Sequence, residues 1–143
     1  ISNHARPGAE CRHNLVYWRY GEYAGIGPGA HGRLVTADGR MAQSTEKHPE
    51  TWLQRVEADG DALIENEQLS AEAQGDEYLL MGLRLVDGID LAVFEALSGR
   101  KLNSNRIGSL IAEGFLARKP GGRLAATPQG ALLLDALVAD LAA

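Results

Sequence analysis

Residues that start helices or make turns recur through the second half of this chain, so closely that only short helices and strands fit between them. Pro120-Gly121-Gly122 separates two short apolar segments, 115–119 and 123–126, as a turn between paired strands would. The helix-start residues are of the types preferred at N-caps, whose side-chain oxygens accept hydrogen bonds from free backbone N–H groups: Ser70, Asp90, Asn103 or Ser104, and Thr127. The resulting order of helix, helix, helix, strand, turn, strand, helix predicts a winged-helix-like module.

The remaining segments predict three further features. Residues 71–85 have more apolar surface than an amphipathic surface helix needs, which predicts a central buried helix ended by Asp87-Gly88. Another helix is expected from His48-Pro49 to Asp59-Gly60, with an apolar stripe of Trp52, Leu53 and Val56, followed at 61–67 by a short strand or linker. Before these, strands are expected at 22–26 and 33–36, the second closed by the hairpin signal Asp38-Gly39, and 1–8 resembles a strand that ends in a turn.

Composition restricts the class of protein. The 143 residues, 45% of them hydrophobic, suffice for one globular domain, and the net charge of −5 disfavours general binding to nucleic acid. The charge is uneven, with five arginines against three acids in residues 1–43, and nine basic against sixteen acidic side chains in 44–143. One cysteine, Cys11, excludes an internal disulfide and suits a reducing cytoplasm, while no apolar run approaches transmembrane length. The first residue is Ile within a structured-looking motif, so we expect a piece of a longer protein.

The chemistry is concentrated near the N-terminus. His13, Tyr17 and Trp18 lie between Arg12 and Arg19, and His13 and Tyr17 point together whether the segment is a strand or a helix. A neutral imidazole can ligate haem iron, aromatic rings can stack on a porphyrin and arginines can pair with its propionates. The same residues could equally anchor a core, with His13 bonded to a backbone carbonyl, and spacing alone leaves both interpretations open.

Other possible sites receive less support. Residues 27–32 match G-x-G-x-x-G, but a strand-like segment follows where a dinucleotide site requires a helix, so these glycines indicate positive φ or close backbone approach, and His31 a structural role. The winged-helix pattern would offer Asn105 and Arg106 as base readers, yet its acidic charge disfavours DNA. Cys11 has no accompanying acid or base, and no catalytic residue is assigned.

Motifs spread over the whole chain match one family. They are ISN at 1–3, RPG at 6–8, RHNLVYW at 12–18 and GIGPGAHG at 25–32, then EYLLMGLRL at 77–85, GFL at 114–116, Thr127 and Gly130. In this order they closely resemble the HemW-type radical S-adenosylmethionine haem chaperones, also described as oxygen-independent coproporphyrinogen III oxidase-like proteins. One departure is His4, where the family usually has an aromatic residue.

The resemblance implies an α+β chain in two parts. Residues 44–143 would be a mainly helical, winged-helix-like C-terminal domain, and residues 1–43 the remnant of the last strand or strands of a radical SAM partial (β/α) barrel. In the family that barrel holds a [4Fe-4S] cluster through a C-x3-C-x2-C motif and binds S-adenosylmethionine. This chain has neither the cysteines nor the length for it, so both cofactors are expected in an N-terminal barrel of the full-length parent.

The resemblance also implies a haem site. The family's H-N-x-x-Y-W motif, associated with haem binding, is present as His13, Asn14, Tyr17 and Trp18. His13 would be the axial ligand of the haem iron, Tyr17 and Trp18 would pack against the macrocycle, and Arg12 or Arg19 would contact the propionates.

The function expected from the resemblance is haem binding and delivery, with haem, haem-accepting proteins and the chain's own N-terminal barrel as partners. An alternative is part of an oxygen-independent coproporphyrinogen III oxidase, whose oxidative decarboxylation needs the absent barrel. An alternative from another class is a winged-helix DNA-binding module.

Overall fold

A computed structural model describes residues 4–143 as two compact units. Unit 1 comprises the residues up to Tyr20 together with Ser70–Ala143, and unit 2 comprises Gly21–Leu69. The expected boundary between residues 43 and 44 falls inside a strand of unit 2, so the compact units divide the chain elsewhere. Assignment of residues 1–43 to a barrel edge stays a prediction.

Unit 2 contains a three-stranded antiparallel sheet and one helix. Its strands, β1 His31–Thr36, β2 Gly39–Thr45 and β3 Leu63–Gln68, lie in the order β1-β2-β3, and helix α2 spans Pro49–Asp59. Thr36 opposite Gly39 closes the predicted hairpin, and Gly60 with φ 87° ends α2 as predicted. Pairing with β2 makes 63–68 a strand rather than a linker.

One expectation for unit 2 is wrong. Residues 22–26 form no strand, because only Tyr23 pairs with β1, through a single bridge to Arg33. The apolar stripe of α2 is present in the helix but only partly covered: Leu53 is 49% exposed, and no residue of the helix is fully buried.

Unit 1 begins with helix α1, Arg12–Trp18, and continues after residue 70 in the order expected for a winged helix. Its elements are α3 Ala71–Gly82, β4 Ile89–Asp90, α4 Leu91–Ser98, α5 Ser104–Ala112, β5 Leu116–Lys119, β6 Arg123–Ala126, α6 Pro128–Ala131 and α7 Leu134–Ala142. Antiparallel pairing gives the sheet order β4-β6-β5, and a 3₁₀ turn at 120–122 joins β5 to β6. The predicted α+β, mainly helical fold is confirmed, and the described residues contain no closed barrel.

The predicted N-caps of unit 1 are confirmed in atomic detail. Ser70 Oγ accepts from Ala73 N at 3.1 Å, and Asp90 Oδ1 accepts from Ala92 N at 2.8 Å. Asn103 rather than Ser104 caps α5, accepting from the backbone N–H groups of residues 105 and 106. Thr127 Oγ1 accepts from Gly130 N at 3.0 Å. Local cap chemistry therefore sets each of these helix starts.

Two helices end earlier than predicted. The central helix stops at Gly82 and not near residue 85, because Leu85 N bonds to Gly82 O in a tighter i→i+3 turn. The last helix is two helices, α6 and α7, since Leu133 N bonds to Gly130 O in the same manner. The strand expected within residues 1–8 is absent from the described part, 4–8, where a turn at Pro7-Gly8 precedes α1, and residues 1–3 lie outside the described range.

The core of unit 1 forms around α3, as predicted. Leu79 is 0% exposed, Leu83 is 1% exposed, and Gly82 lies so close to Ile89 that a Cβ there would be 2.4 Å from Ile89 Cγ2. Side chains from the later helices and strands other than α6 complete this cluster, among them Phe94, Leu102, Ile107, Leu110, Leu116, Leu124, Leu134, Leu137 and Leu141. Across residues 4–143, no helix has the length and apolarity needed to cross a membrane.

Candidate functional site

The segment from Arg12 to Arg19 forms helix α1 and the residue that follows it. Tyr20 then takes a left-handed conformation, φ 59°, which is uncommon for a non-glycine residue. Its ring packs edge-to-face on Tyr78 of α3, with ring centroids 6.0 Å apart, and contacts the core. This contact fixes the C-terminal end of α1 to unit 1.

His13 and Tyr17 form a pair on consecutive turns of α1. Tyr17 Oη is hydrogen-bonded to His13 Nε2, and the rings meet edge-to-face with centroids 4.6 Å apart and planes at 84°. His13 is exposed, while Tyr17 is half-buried. The pair confirms that these side chains point together, and it leaves Nδ1 as the imidazole nitrogen without a hydrogen bond to residues 4–143.

Trp18 and Arg19 line a groove, and the other motif residues do not contribute to its lining. The groove has a volume of about 660 Å³ and lies entirely within unit 1. Its walls are the end of α1, the end of α3 with the following turn, and the β5–β6 turn: Trp18, Arg19, Tyr78, Leu85, Val86, Lys119, Pro120 and Arg123, among others. We name it the wing groove. Two of the six predicted site residues, Trp18 and Arg19, therefore line the groove. The other four do not: Arg12, His13, Asn14 and Tyr17.

The basic residues of the wing groove differ in their bonding. Arg123 donates from Nε to Asp87 O at 2.9 Å and from Nη2 to Gly88 O at 2.6 Å, so it ties the β5–β6 turn to the turn after α3. The charged groups of Arg19 and Lys119 form no ion pair with the described residues. Sequence patterns alone assign neither Lys119 nor Arg123 to a site. The available signal was the basic residues that flank Pro120-Gly121-Gly122.

The glycine-rich loop behaves as backbone structure. Gly27 has φ 102° and Gly29 has φ 68°, while a Cβ on Gly25 would lie 2.4 Å from His31 O. The loop leads into β1, and Thr45 Oγ1 holds it by donating to Gly27 O at 2.6 Å. No helix begins here, so the loop lacks the helix N-terminus that a dinucleotide pyrophosphate requires.

The other candidate groups are in places that offer little chemistry. Cys11 is exposed and precedes α1 without a side-chain capping bond. Arg106, which the DNA-binding alternative would use to contact bases, donates from Nε to Asp140 Oδ2 at 2.6 Å. This carboxylate raises the pKa of Arg106. Within 4–143, no three His, Cys, Asp or Glu side chains cluster as a metal site.

Comparisons with known proteins place this fold in a family. The profile of the HemN C-terminal domain matches residues 69–133. The haem chaperone HemW of Mycobacterium tuberculosis is 38% identical over 99% of this chain and 34% of its own length. The haem chaperone HemW of Escherichia coli is 34% identical over 80% of this chain and 30% of its own length.

A solved structure agrees at the level of the fold. Coproporphyrinogen III oxidase (HemN) from Escherichia coli, a radical SAM enzyme, superimposes with a TM-score of 0.59 at 17% identity, over 94% of this chain and 34% of that one. The chain therefore spans about a third of the length of the proteins that it matches. The structure shows the likeness in fold, while the haem-chaperone relatives and the domain match show that the chain belongs to the HemW-like family and corresponds to its C-terminal part.

Proposed function

We propose that this chain is the haem-contacting part of a HemW-type haem chaperone, with His13 as the iron ligand. One observation carries the proposal: His13 and Tyr17 form an aromatic pair on α1, and the imidazole is exposed. The pair occurs in a chain of which 99% aligns with a haem chaperone at 38% identity. The exposed imidazole is accessible to a haem iron, and its hydrogen bond to Tyr17 holds the ring in one orientation.

The residues present supply the chemical groups that haem binding requires. Bound haem would supply an iron that takes an imidazole nitrogen as its axial ligand. His13 offers Nδ1 directly, or Nε2 once the Tyr17 hydroxyl is displaced, and breaking such a hydrogen bond costs about 0.5–1.5 kcal/mol. Tyr17 and Trp18 offer half-buried aromatic surface, and Arg12 and Arg19 offer exposed cations for propionates.

Each motif residue then has a separate task. His13 binds the haem iron. The Tyr17 hydroxyl orients the His13 imidazole, and Trp18 presents apolar surface to the macrocycle. Asn14, four residues before Trp18, lies on the same side of α1 as that ring. Exposure of His13 suits a carrier, because haem that is to be passed to a haem-accepting protein must be accessible to that protein.

The full-length parent would add further parts to this function. An N-terminal radical SAM barrel with a [4Fe-4S] cluster and S-adenosylmethionine is expected as the partner of this chain, consistent with the one-third coverage of its relatives. We place the protein in the cytoplasm, where the exposed thiol of Cys11 stays reduced.

A haem titration followed by absorbance tests the proposal. Wild-type chain is expected to shift the haem spectrum. His13→Ala should weaken binding at least as much as the loss of a hydrogen-bond partner of a metal ligand, which costs about 10- to 100-fold. The matched control is His48→Ala, which removes another exposed histidine, one paired with Glu50 at 3.0 Å. Equal binding by wild type and His13→Ala, or equal losses in both variants, would contradict His13 as the ligand.

An alternative is supported by the match to the HemN C-terminal domain over residues 69–133, which fits part of a coproporphyrinogen III oxidase as well. Full-length protein with its cluster and S-adenosylmethionine should leave coproporphyrinogen III unchanged if it is a chaperone. Loss of coproporphyrinogen under those conditions would favour the oxidase.

A further inference from the structure

We propose that the wing groove binds the carboxylate-bearing edge of a flat, apolar molecule, and that it does so without iron. The identity of that molecule as a tetrapyrrole rests on the proposed function. What is new is the location. The carboxylates would bind between Arg19, which follows α1, and Lys119, at the end of β5, and not at the His13–Tyr17 pair.

The shape and lining of the wing groove suit such a ligand. Its volume of about 660 Å³ is within the range of small-molecule sites, roughly 300–1,000 Å³. Trp18 presents a half-buried indole, and Leu85 and Pro120 extend the apolar wall. Val86 is 83% exposed at the groove, so a ligand that covers it removes apolar surface from water. The apolar body of the ligand would lie here.

The charge of the groove selects an anion. Arg19 and Lys119 come from separate elements, α1's end and β5, yet both line the groove and neither is ion-paired within residues 4–143. Arg123 is already bonded to two backbone carbonyl groups and serves as support for the groove wall. In a chain with a net charge of −5, two unpaired cations beside apolar surface complement a carboxylated hydrophobic ligand.

One acid, Asp87, also lines the groove, and its replacement tests whether binding can be strengthened as well as weakened. Its side chain is exposed, and its backbone oxygen accepts from Arg123. A carboxylate at this position repels an anionic ligand. Replacement of Asp87 by Asn should therefore strengthen binding, whereas a purely structural role of the groove residues predicts no gain.

Binding in the groove is separable from iron ligation, because His13 is not among the lining residues. The probe is therefore iron-free deuteroporphyrin, which has two carboxylates, compared with its dimethyl ester. Binding to the 143-residue chain is followed by quenching of Trp18 fluorescence in a Trp52→Phe background. Variants are Arg19→Gln, Lys119→Gln and Asp87→Asn, with Lys101→Gln as the matched control, since Lys101 is an exposed lysine of unit 1 paired with Glu95 at 3.5 Å.

We expect Lys119→Gln and Arg19→Gln each to raise the Kd of deuteroporphyrin up to about fivefold, and Asp87→Asn to lower it by about two- to fivefold, as for partly exposed charge pairs. Lys101→Gln should have no effect. The dimethyl ester should bind more weakly to the wild type, and with the same Kd to every variant.

The outcomes separate this proposal from the haem site. If wild type binds haem through His13, but diacid and diester bind equally or Lys119→Gln has no effect, the groove proposal is overturned. An equal loss in Lys101→Gln would also overturn it, as a non-specific charge effect. If haem binding does not depend on His13, yet the diacid binds with the expected dependence on Lys119, the groove proposal stands and iron ligation by His13 fails.

Discussion

Unit 1 and unit 2 bury different kinds of side chains. In unit 1 the interior consists of large apolar residues from α3 to α7, with Phe94 1% exposed and Leu124 0% exposed. In the described part of unit 2 the buried apolar residues are two alanines, Ala42 and Ala62, accompanied by buried Arg40 and Ser44. Hydrophobic burial therefore stabilises unit 1, while unit 2 relies on its β-ladder and on polar side-chain bonds.

The chain has two tryptophans, one in each unit, and this makes the comparison measurable. Trp18 reports on unit 1, and Trp52 reports on unit 2. A Trp52→Phe background isolates the first signal, and a Trp18→Phe background isolates the second. Urea unfolding followed in each background then gives a free energy of unfolding for the unit that contains the remaining tryptophan.

The largest effect is expected from Phe94→Ala in the core of unit 1. Deleting this ring removes a large buried apolar surface and leaves a cavity, which costs about 3–5 kcal/mol. The control is Val93→Ala at a neighbouring position of α4 that is 42% exposed, where the change should stay within about 0.5 kcal/mol. Urea unfolding followed at Trp18 measures both, and a loss below about 1 kcal/mol for Phe94→Ala would show that this core does not stabilise unit 1.

A smaller effect is expected from Ser44→Ala in unit 2. Ser44 is 6% exposed, and its Oγ donates to Glu65 Oε2 at 2.8 Å across the β2–β3 pair. Water can reach the exposed Glu65 in the variant, so the loss should be about 0.5–1.5 kcal/mol. Urea unfolding followed at Trp52 measures it.

Ser109→Ala is the matched control, since it removes an exposed serine hydroxyl from unit 1. It should leave the Trp52 transition unchanged. An effect of Ser44→Ala as large as that of Phe94→Ala would remove the distinction between the two units.

The contrast also explains which parts of the fold could be predicted from sequence. Helix starts in unit 1 depend on single side chains bonded to backbone two or three residues away, so Asp90 and Thr127 predict them correctly. The pairing of β3 with β2 depends on partners such as Asn66 opposite Gln43, more than twenty residues apart, and residues 61–67 contain no local signal for it. The early end of α3 comes with the Leu85–Gly82 turn and with close packing of Gly82 against Ile89, and local propensity encodes neither.

The same limit applies to the candidate site. The pairing of His13 with Tyr17 follows from i,i+4 spacing on one helix and could be predicted. The meeting of Trp18 and Arg19 with Lys119 could not, because it brings together residues about a hundred positions apart in the chain. Sequence alone therefore identified the motif but not the groove beside it.

The smallest predicted effect concerns acid and the start of α2 in unit 2. Glu46 Oε1 accepts from His48 N at 2.9 Å, and this hydrogen bond lowers the pKa of Glu46 below its ordinary value. A carboxyl whose pKa is lower in the folded state contributes stability above its unfolded pKa, about 4.3, and loses it as pH falls through the folded pKa. The urea midpoint followed at Trp52 should therefore fall as pH is lowered from 6 to 3.

Glu46→Gln tests the origin of this pH dependence, because an amide oxygen can still accept from His48 N but does not titrate. We expect the fall in the Trp52 urea midpoint to be smaller in Glu46→Gln than in the Trp18→Phe parent. Glu57→Gln, which removes an exposed carboxylate of α2, should retain the fall of the parent. If Glu46→Gln and Glu57→Gln respond alike, Glu46 is not the group that couples unit 2 to pH, and polar side-chain bonding at the start of α2 does not stabilise the unit as the comparison requires.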